Sequence, residues 1–157
     1  MDKHSPEFWI DTLKLKPHPE GGFFRETYRS KREHDGRSLA TNIYYLLPGK
    51  MHSRFHRLRY DEHWYFHYGS TLQIYFLRDD GQLEEHLLGS HPEQGEHLSL
   101  LIPEGTIFGA ELVNKDSFVV VSCNMSPGFH FGDFEMFSNK QLTEMFPHQK
   151  DIIDKLT

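Results

Sequence analysis

Apolar and polar residues alternate with a period of two through most of the chain, and take a helical period only near its ends. "FFRETYR" (23–29), "ATNIYYLLP" (40–48), "WYFHYG", "TLQIYFL" and "QLEEHLLG" read as strands. So do "HLSLLIP" (97–103), with Leu98, Leu100 and Ile102 on one face, then "TIFGAEL" and "SFVVVSCNM". Turn chemistry separates them: "KPHPEGG" (16–22), "EHDGRS" (33–38), Pro48-Gly49, "DDG" (79–81), Pro103-Glu104-Gly105 and "NKD" (114–116). Short strands with turns about every 8–12 residues predict an antiparallel all-β sandwich or barrel.

The ends differ. Ser5 can cap free N–H groups, Pro6 suits the first helical position and Glu7 favours the positive end of the helix dipole. A short helix is predicted at about residues 6–14, with Phe8, Trp9, Thr12 and Leu13 on its apolar side. Ser138 and Gln141 have capping-box spacing, and Leu142, Met145 and Phe146 form a stripe that Pro147 ends. Ile152, Ile153 and Leu156 close a helical tail at about 139–157. The expected organisation is one domain over 1–157, with the β-barrel at about 22–137.

Composition narrows the class. A chain of 157 residues with 13 Phe, 7 Tyr and 2 Trp can bury a sizeable core. The net charge of −6 argues against nucleic-acid binding, which needs a basic face. No apolar run approaches the roughly 18 residues of a membrane span. The N-terminal stretch "MDKHSPEFWIDTLKLK" carries charges throughout and does not read as a secretory signal. The single cysteine, Cys123, permits no intrachain disulfide and suits a reducing cytoplasm. In "VVVSCNM" it reads as a buried structural thiol.

The chemistry concentrates in "HRLRYDEHWYFHYG" (56–69). Strand parity puts Arg54, His56 and Leu58 on one face, and a turn at 59–61 brings Glu62 back beside them, with Trp64, Phe66 and Tyr68 on Glu62's side. Arg25 and Thr27 share a face of the 23–29 strand.

At these residues the chain resembles the cupins, whose first motif is Gly-x5-His-x-His-x3/4-Glu-x6-Gly. His56, Glu62 and Gly69 match its second half. Leu58 stands where the second histidine belongs, and Gly49 lies one residue too far upstream. The second cupin motif, Pro-x-Gly-x2-His, meets Pro103, Gly105 and Phe108. "HPEGGFFRETYRS", the 56–69 stretch and "SPGFHFGDFEMF" together resemble the cupin five branch, a domain of unknown function. The resemblance implies a cupin jelly-roll β-barrel with short terminal helices, a pocket at its mouth, and a homodimer.

The branch itself supplies no reaction, but metal-free epimerase cupins use a histidine base. This resemblance implies a similar use for His56 in an isomerase or epimerase acting on a small-molecule ligand, sugar-like or carboxylate, with no metal cofactor expected where Leu58 and Phe108 replace two ligands. His56 is then the catalytic base, Glu62 its partner, and Tyr68 or Tyr45 the acid. Arg25 and Arg54 anchor an anionic group. Glu20, Thr27, Trp64, Phe108, Phe129 and Phe131 complete the expected ligand-binding set. Two alternatives stand beside this. One is a metal-dependent cupin using a divalent ion on His56 and Glu62, with Glu20 or His18 recruited if the "HPEGG" loop folds over the mouth. The other is a non-catalytic binding or structural protein.

Overall fold

The computed structural model describes Asp2 and residues 4–157. Two antiparallel sheets face each other. The larger has six strands in the spatial order Lys16–Pro17, Phe23–Arg29, Thr41–Pro48, Phe118–Met125, Glu62–Gly69 and Ser99–Ile102. The smaller has five, ordered Glu135–Met136, His52–Arg57, Ile107–Leu112, Leu72–Leu77 and Leu83–Leu88. A separate hairpin pairs Glu33–His34 with Arg37–Ser38. The fold is an all-β jelly roll, as expected. The correction is that its two sheets are distinct ladders and do not close into one continuous barrel.

Alternation along the strands explains the layers. Tyr45, Leu47, Val119, Val121 and Trp64 from the larger sheet meet Leu72, Ile74, Phe108 and Ala110 from the smaller one in the central core. The intervening positions are apolar too, because both outer faces are covered. Leu46, Phe118 and Val120 pack under the helix Pro6–Leu13 through Trp9, Ile10 and Leu13. Thr12 is exposed, and Ile10 occupies the place expected for it. On the other side Phe55, Tyr75 and Leu77 meet Leu142, Phe146, Ile153 and Leu156 from the helices Asn139–Met145 and Lys150–Lys155 and the residues that end them. Met145, predicted in that stripe, is half exposed. Among the described residues no helix is long and apolar enough to cross a membrane.

The helix ends carry the expected caps. The Ser5 hydroxyl accepts from the Phe8 N–H, and Ser138 with Gln141 makes both bonds of a capping box. Since the Asn139–Met145 helix holds Leu142 and Phe146 over the smaller sheet, losing its cap loosens that layer. Ser138→Ala is expected to lower stability by about 1 kcal/mol in urea denaturation. An unchanged midpoint would mean that the cap contributes nothing here.

Of three register shifts among the described residues, one leaves Thr27 as the extra residue between Glu26 and Tyr28, and the other two set which side chains near the site face inward. Opposite Phe108–Ala110, the strand His52–Arg57 fits one extra residue between Ser53 and His56. Both Ser53 and His56 are therefore buried, while Arg54 is exposed. In the strand Glu62–Gly69, Phe66 pairs with Val121 but Tyr68 pairs with Val120, which leaves His67 as the extra residue. Glu62, Trp64 and Phe66 stay on the core side, and Tyr68 turns to the outer face.

Candidate functional site

A cavity opens at the end of the sandwich where Thr41, Glu62 and Met125 begin or end their strands. Its walls are mostly apolar: Phe24, Ile43, Leu58, Trp64, Phe129 and Phe134. His18, Glu20, His56 and Glu62 supply its charged and titratable groups, with Thr41 and Cys123 beside them. The free volume is about 40 Å³. A buried water takes roughly 10–15 Å³ on that scale, so the enclosed part suits about three or four non-hydrogen atoms.

Glu20 enters because the "HPEGG" loop lies flat against the smaller sheet. The Arg54 N–H donates to the Glu20 carbonyl at 2.8 Å, and the Tyr45 hydroxyl donates to the Gly21 carbonyl at 2.8 Å. The approach requires glycine. Gly21 has φ +107° and a Cβ there would sit 2.2 Å from the His52 carbonyl oxygen; at Gly22, with φ +75°, it would sit 2.7 Å from that of Leu46. The Glu20 side chain is thereby buried with an oxygen 2.7 Å from His56 Nε2.

The protonation state of this pair follows from its neighbours. His56 Nδ1 lies 2.7 Å from the Arg54 carbonyl, which can only accept, so Nδ1 carries a hydrogen. Burial alone would push the Glu20 carboxyl up, but the charge and hydrogen bond of His56 outweigh it and hold that carboxyl low. Burial alone would likewise push His56 down, and the Glu20 carboxylate more than reverses this. The two directions agree on an imidazolium–carboxylate pair, with the ring packed 4.2 Å from Phe108 and 5.3 Å from Phe134 between centroids.

Glu62 behaves differently. Burial, reinforced by the Glu20 charge, raises its carboxyl to about 7, against the opposing pull of the Trp64 N–H and His56. Trp64 Nε1 donates to Glu62 Oε1 at 2.5 Å, while Oε2 has no protein hydrogen bond among the described residues. Glu62 is thus a fixed carboxyl, half ionised near neutrality, in a largely apolar chamber. His18 is neutral: burial lowers it more than the Glu20 charge raises it. Its Nδ1 accepts the Glu20 backbone N–H at 3.1 Å, so Nε2 carries the ring hydrogen. Burial pushes the Cys123 thiol far up, and the Glu62 and Glu20 charges push it further.

The aromatic strap 128–134 closes the mouth. Arg37 binds the Asp133 carboxylate with both terminal nitrogens and the Gly128 carbonyl with one of them. Arg29 donates to the Phe129 carbonyl at 3.1 Å, and the Phe129 N–H donates to Thr41 Oγ1 at 2.9 Å. Phe129 and Phe134 are held inward, whereas Phe131 is exposed and packs edge-on against Phe129.

The sequence-derived set is therefore divided. His56, Glu62, Glu20, Trp64 and Phe129 line one cavity, and Phe108 backs the His56 ring. His56 is not positioned as a free base, because both ring nitrogens are engaged, and its partner is Glu20 instead of Glu62. Tyr68 bonds His4 and packs on Trp9 and Phe118, outside the cavity. Tyr45 is fully buried with its hydroxyl spent on the loop. Thr27 bonds Asn42 on the exposed face. Neither Arg25 nor Arg54 lines the cavity, so the anion anchors expected there are absent from it. Of the residues missed, Phe24, Thr41, Ile43 and Met125 carry only the period-two pattern as a signal, and Phe134 only the aromatic spacing of "SPGFHFGDFEMF".

The donor set does not fit the metal of the cupin pattern. Leu58 and Phe108 replace two histidines, and His56 has no free lone pair. Among the described residues no three of the His, Cys, Asp and Glu side chains converge as ligands.

Comparisons with known proteins agree with this architecture. The family described as Cupin superfamily (DUF985) matches residues 7–137. The solved structure of a protein from Shewanella oneidensis is 42% identical, with a TM-score of 0.94, covering 100% of this chain and 98% of that one. A hypothetical protein from Leishmania major is 35% identical, with a TM-score of 0.91 and 98% of each chain covered. A mutant of Bacillus subtilis oxalate decarboxylase shares the fold alone: 13% identity and a TM-score of 0.60, over 91% of this chain and 37% of that one. No curated protein matches.

Proposed function

This chain belongs to the cupin superfamily, in the family DUF985, and we propose that its cavity binds a small molecule on which Glu62 moves a proton, in an isomerase-type reaction with no resident metal. The observation that carries this is the Glu62 carboxyl itself: buried, oriented through one oxygen by Trp64, and poised at about 7. A group that is half ionised at neutral pH can both take and return a proton. The Glu20–His56 pair supplies a fixed charge environment beside it and keeps the loop seated. Phe129 and Phe134 limit water at the reacting end.

The test begins with a thermal-shift screen of small metabolites. Each hit is then incubated with protein in deuterated water and weighed by mass spectrometry. The expected result is deuterium uptake into a bound compound, reduced about 10²–10⁴-fold by Glu62→Gln. Stoichiometric metal retained after dialysis, unchanged exchange in the variant, or binding without any exchange would each defeat the reading.

A further inference from the structure

The polar groups of the cavity are unequal in what they have left to offer. Both His56 N–H groups are spent on Glu20 and on the Arg54 carbonyl, and the Trp64 N–H is spent on Glu62. Besides the weak S–H of Cys123, two neutral N–H or O–H donors remain. His18 gives up its Nδ1 lone pair to the Glu20 N–H, so its hydrogen is on Nε2, and Nε2 has no partner among the described residues. Thr41 Oγ1 accepts from the Phe129 N–H and keeps its own hydrogen for another acceptor. Thr41 is 2% exposed and lines the cavity with His18. The one cation in the lining, His56, is neutralised by Glu20.

Resting on the proton-transfer reading above, we infer that this cavity is a binding site for a compact, uncharged carbonyl compound, whose oxygen is received by His18 Nε2–H and Thr41 Oγ1–H beside Glu62. An anion would meet two carboxylates and no free cation, which is costly in a buried chamber. An ammonium could pair with the Glu62 carboxylate, but it would leave both neutral donors facing another donor. A carbonyl oxygen satisfies both, and its aliphatic part meets the aromatic walls. The proton step is then balanced. A hydrogen on the carbon beside the carbonyl passes to the Glu62 carboxylate, and the C–H electron pair moves through to oxygen, forming an enolate. The two donors hold the negative oxygen. Return of the proton to carbon restores the carbonyl, with no electron gained or lost.

Three probes of similar size, each long enough to fill the enclosed part and reach its mouth, separate the charge types: propionamide, propionate and butylammonium, each titrated at pH 7 while the Trp64 indole N–H is followed by NMR. Propionamide is expected to saturate the shift at the lowest concentration. His18→Phe keeps the ring and removes the Nε2 donor together with the acceptor of the Glu20 N–H, and Thr41→Val removes the hydroxyl together with the acceptor of the Phe129 N–H, so a parent-like spectrum is required of both. Each should weaken propionamide about fivefold to tenfold, the worth of one neutral hydrogen bond, in protein whose spectrum is otherwise that of the parent. Tighter binding of propionate or butylammonium overturns the ligand class and leaves Glu62 to be judged by deuterium exchange. Propionamide binding unmoved in both variants overturns the donor assignment. No shift with any probe removes the cavity as a ligand site, and both proposals with it.

Discussion

Glu20→Ala is expected to destabilise the protein by about 3–5 kcal/mol, because it strands a buried imidazolium. The carboxylate is 5% exposed and His56 is 1% exposed, so bulk water does not screen this pair as it would at the surface. The backbone contacts of residue 20, its carbonyl to the Arg54 N–H and its N–H to His18, survive the substitution, which isolates the side chain. A surface ion pair would cost under about 1 kcal/mol in the same experiment. The double variant Glu20→Ala, His56→Phe should recover most of the loss, since the ring at 56 already packs between Phe108 and Phe134 and neither charge of the pair would remain. Urea denaturation of the parent, the two single variants and the double variant measures the coupling. A single-variant loss below 1 kcal/mol, or a double variant no better than Glu20→Ala, would show that the pair is not a buried charge pair.

That pairing is also where the sequence was least informative. Local chemistry was legible. Ser5-Pro6-Glu7 starts a helix, Ser138 and Gln141 cap another, and Asp79-Asp80-Gly81 turns between Leu77 and Leu83, which pair. Alternation located the strands, and the spacing of His56, Glu62 and Gly69 pointed to the right end of the right fold. What failed was parity carried through irregular places. One extra residue between Ser53 and His56 turns Arg54 outward, and His67 does the same to Tyr68. A bulge leaves no mark in a period-two pattern, so every assignment beyond it inverts. The contact between Glu20 and His56 joins distant segments, and nothing local in either one selects the other. "HPEGG" did hold a usable signal. Paired glycines permit a close backbone approach, and here that approach is what carries the acid inward.

The second large effect runs against the usual consequence of altering a buried charged residue: Glu62→Gln is expected to stabilise the protein, and only at higher pH. In the folded chain the Glu62 carboxyl stands at about 7, against an ordinary 4.5. Below about pH 4.5 both folded and unfolded chains hold this proton, and the group has no effect on stability. Between 4.5 and 7 the unfolded chain releases the proton while the folded chain keeps it, so stability falls as pH rises. Above 7 both have released it and the penalty is constant, at roughly 3 kcal/mol from about 1.4 kcal/mol per pH unit. Glutamine is neutral at every pH and can still accept the Trp64 N–H, so the difference between variant and parent should grow from nothing near pH 4 to a plateau of roughly 3 kcal/mol above pH 8. Glu20 follows the opposite course: its lowered carboxyl gives stability that is lost as pH falls. Because both proteins share Glu20, its contribution largely cancels from the difference. Denaturation curves at pH 5 and pH 8 measure that difference directly. A gain of equal size at both, or a loss at pH 8, would mean that Glu62 is ionised at ordinary acidity and is not the group held ready to exchange a proton.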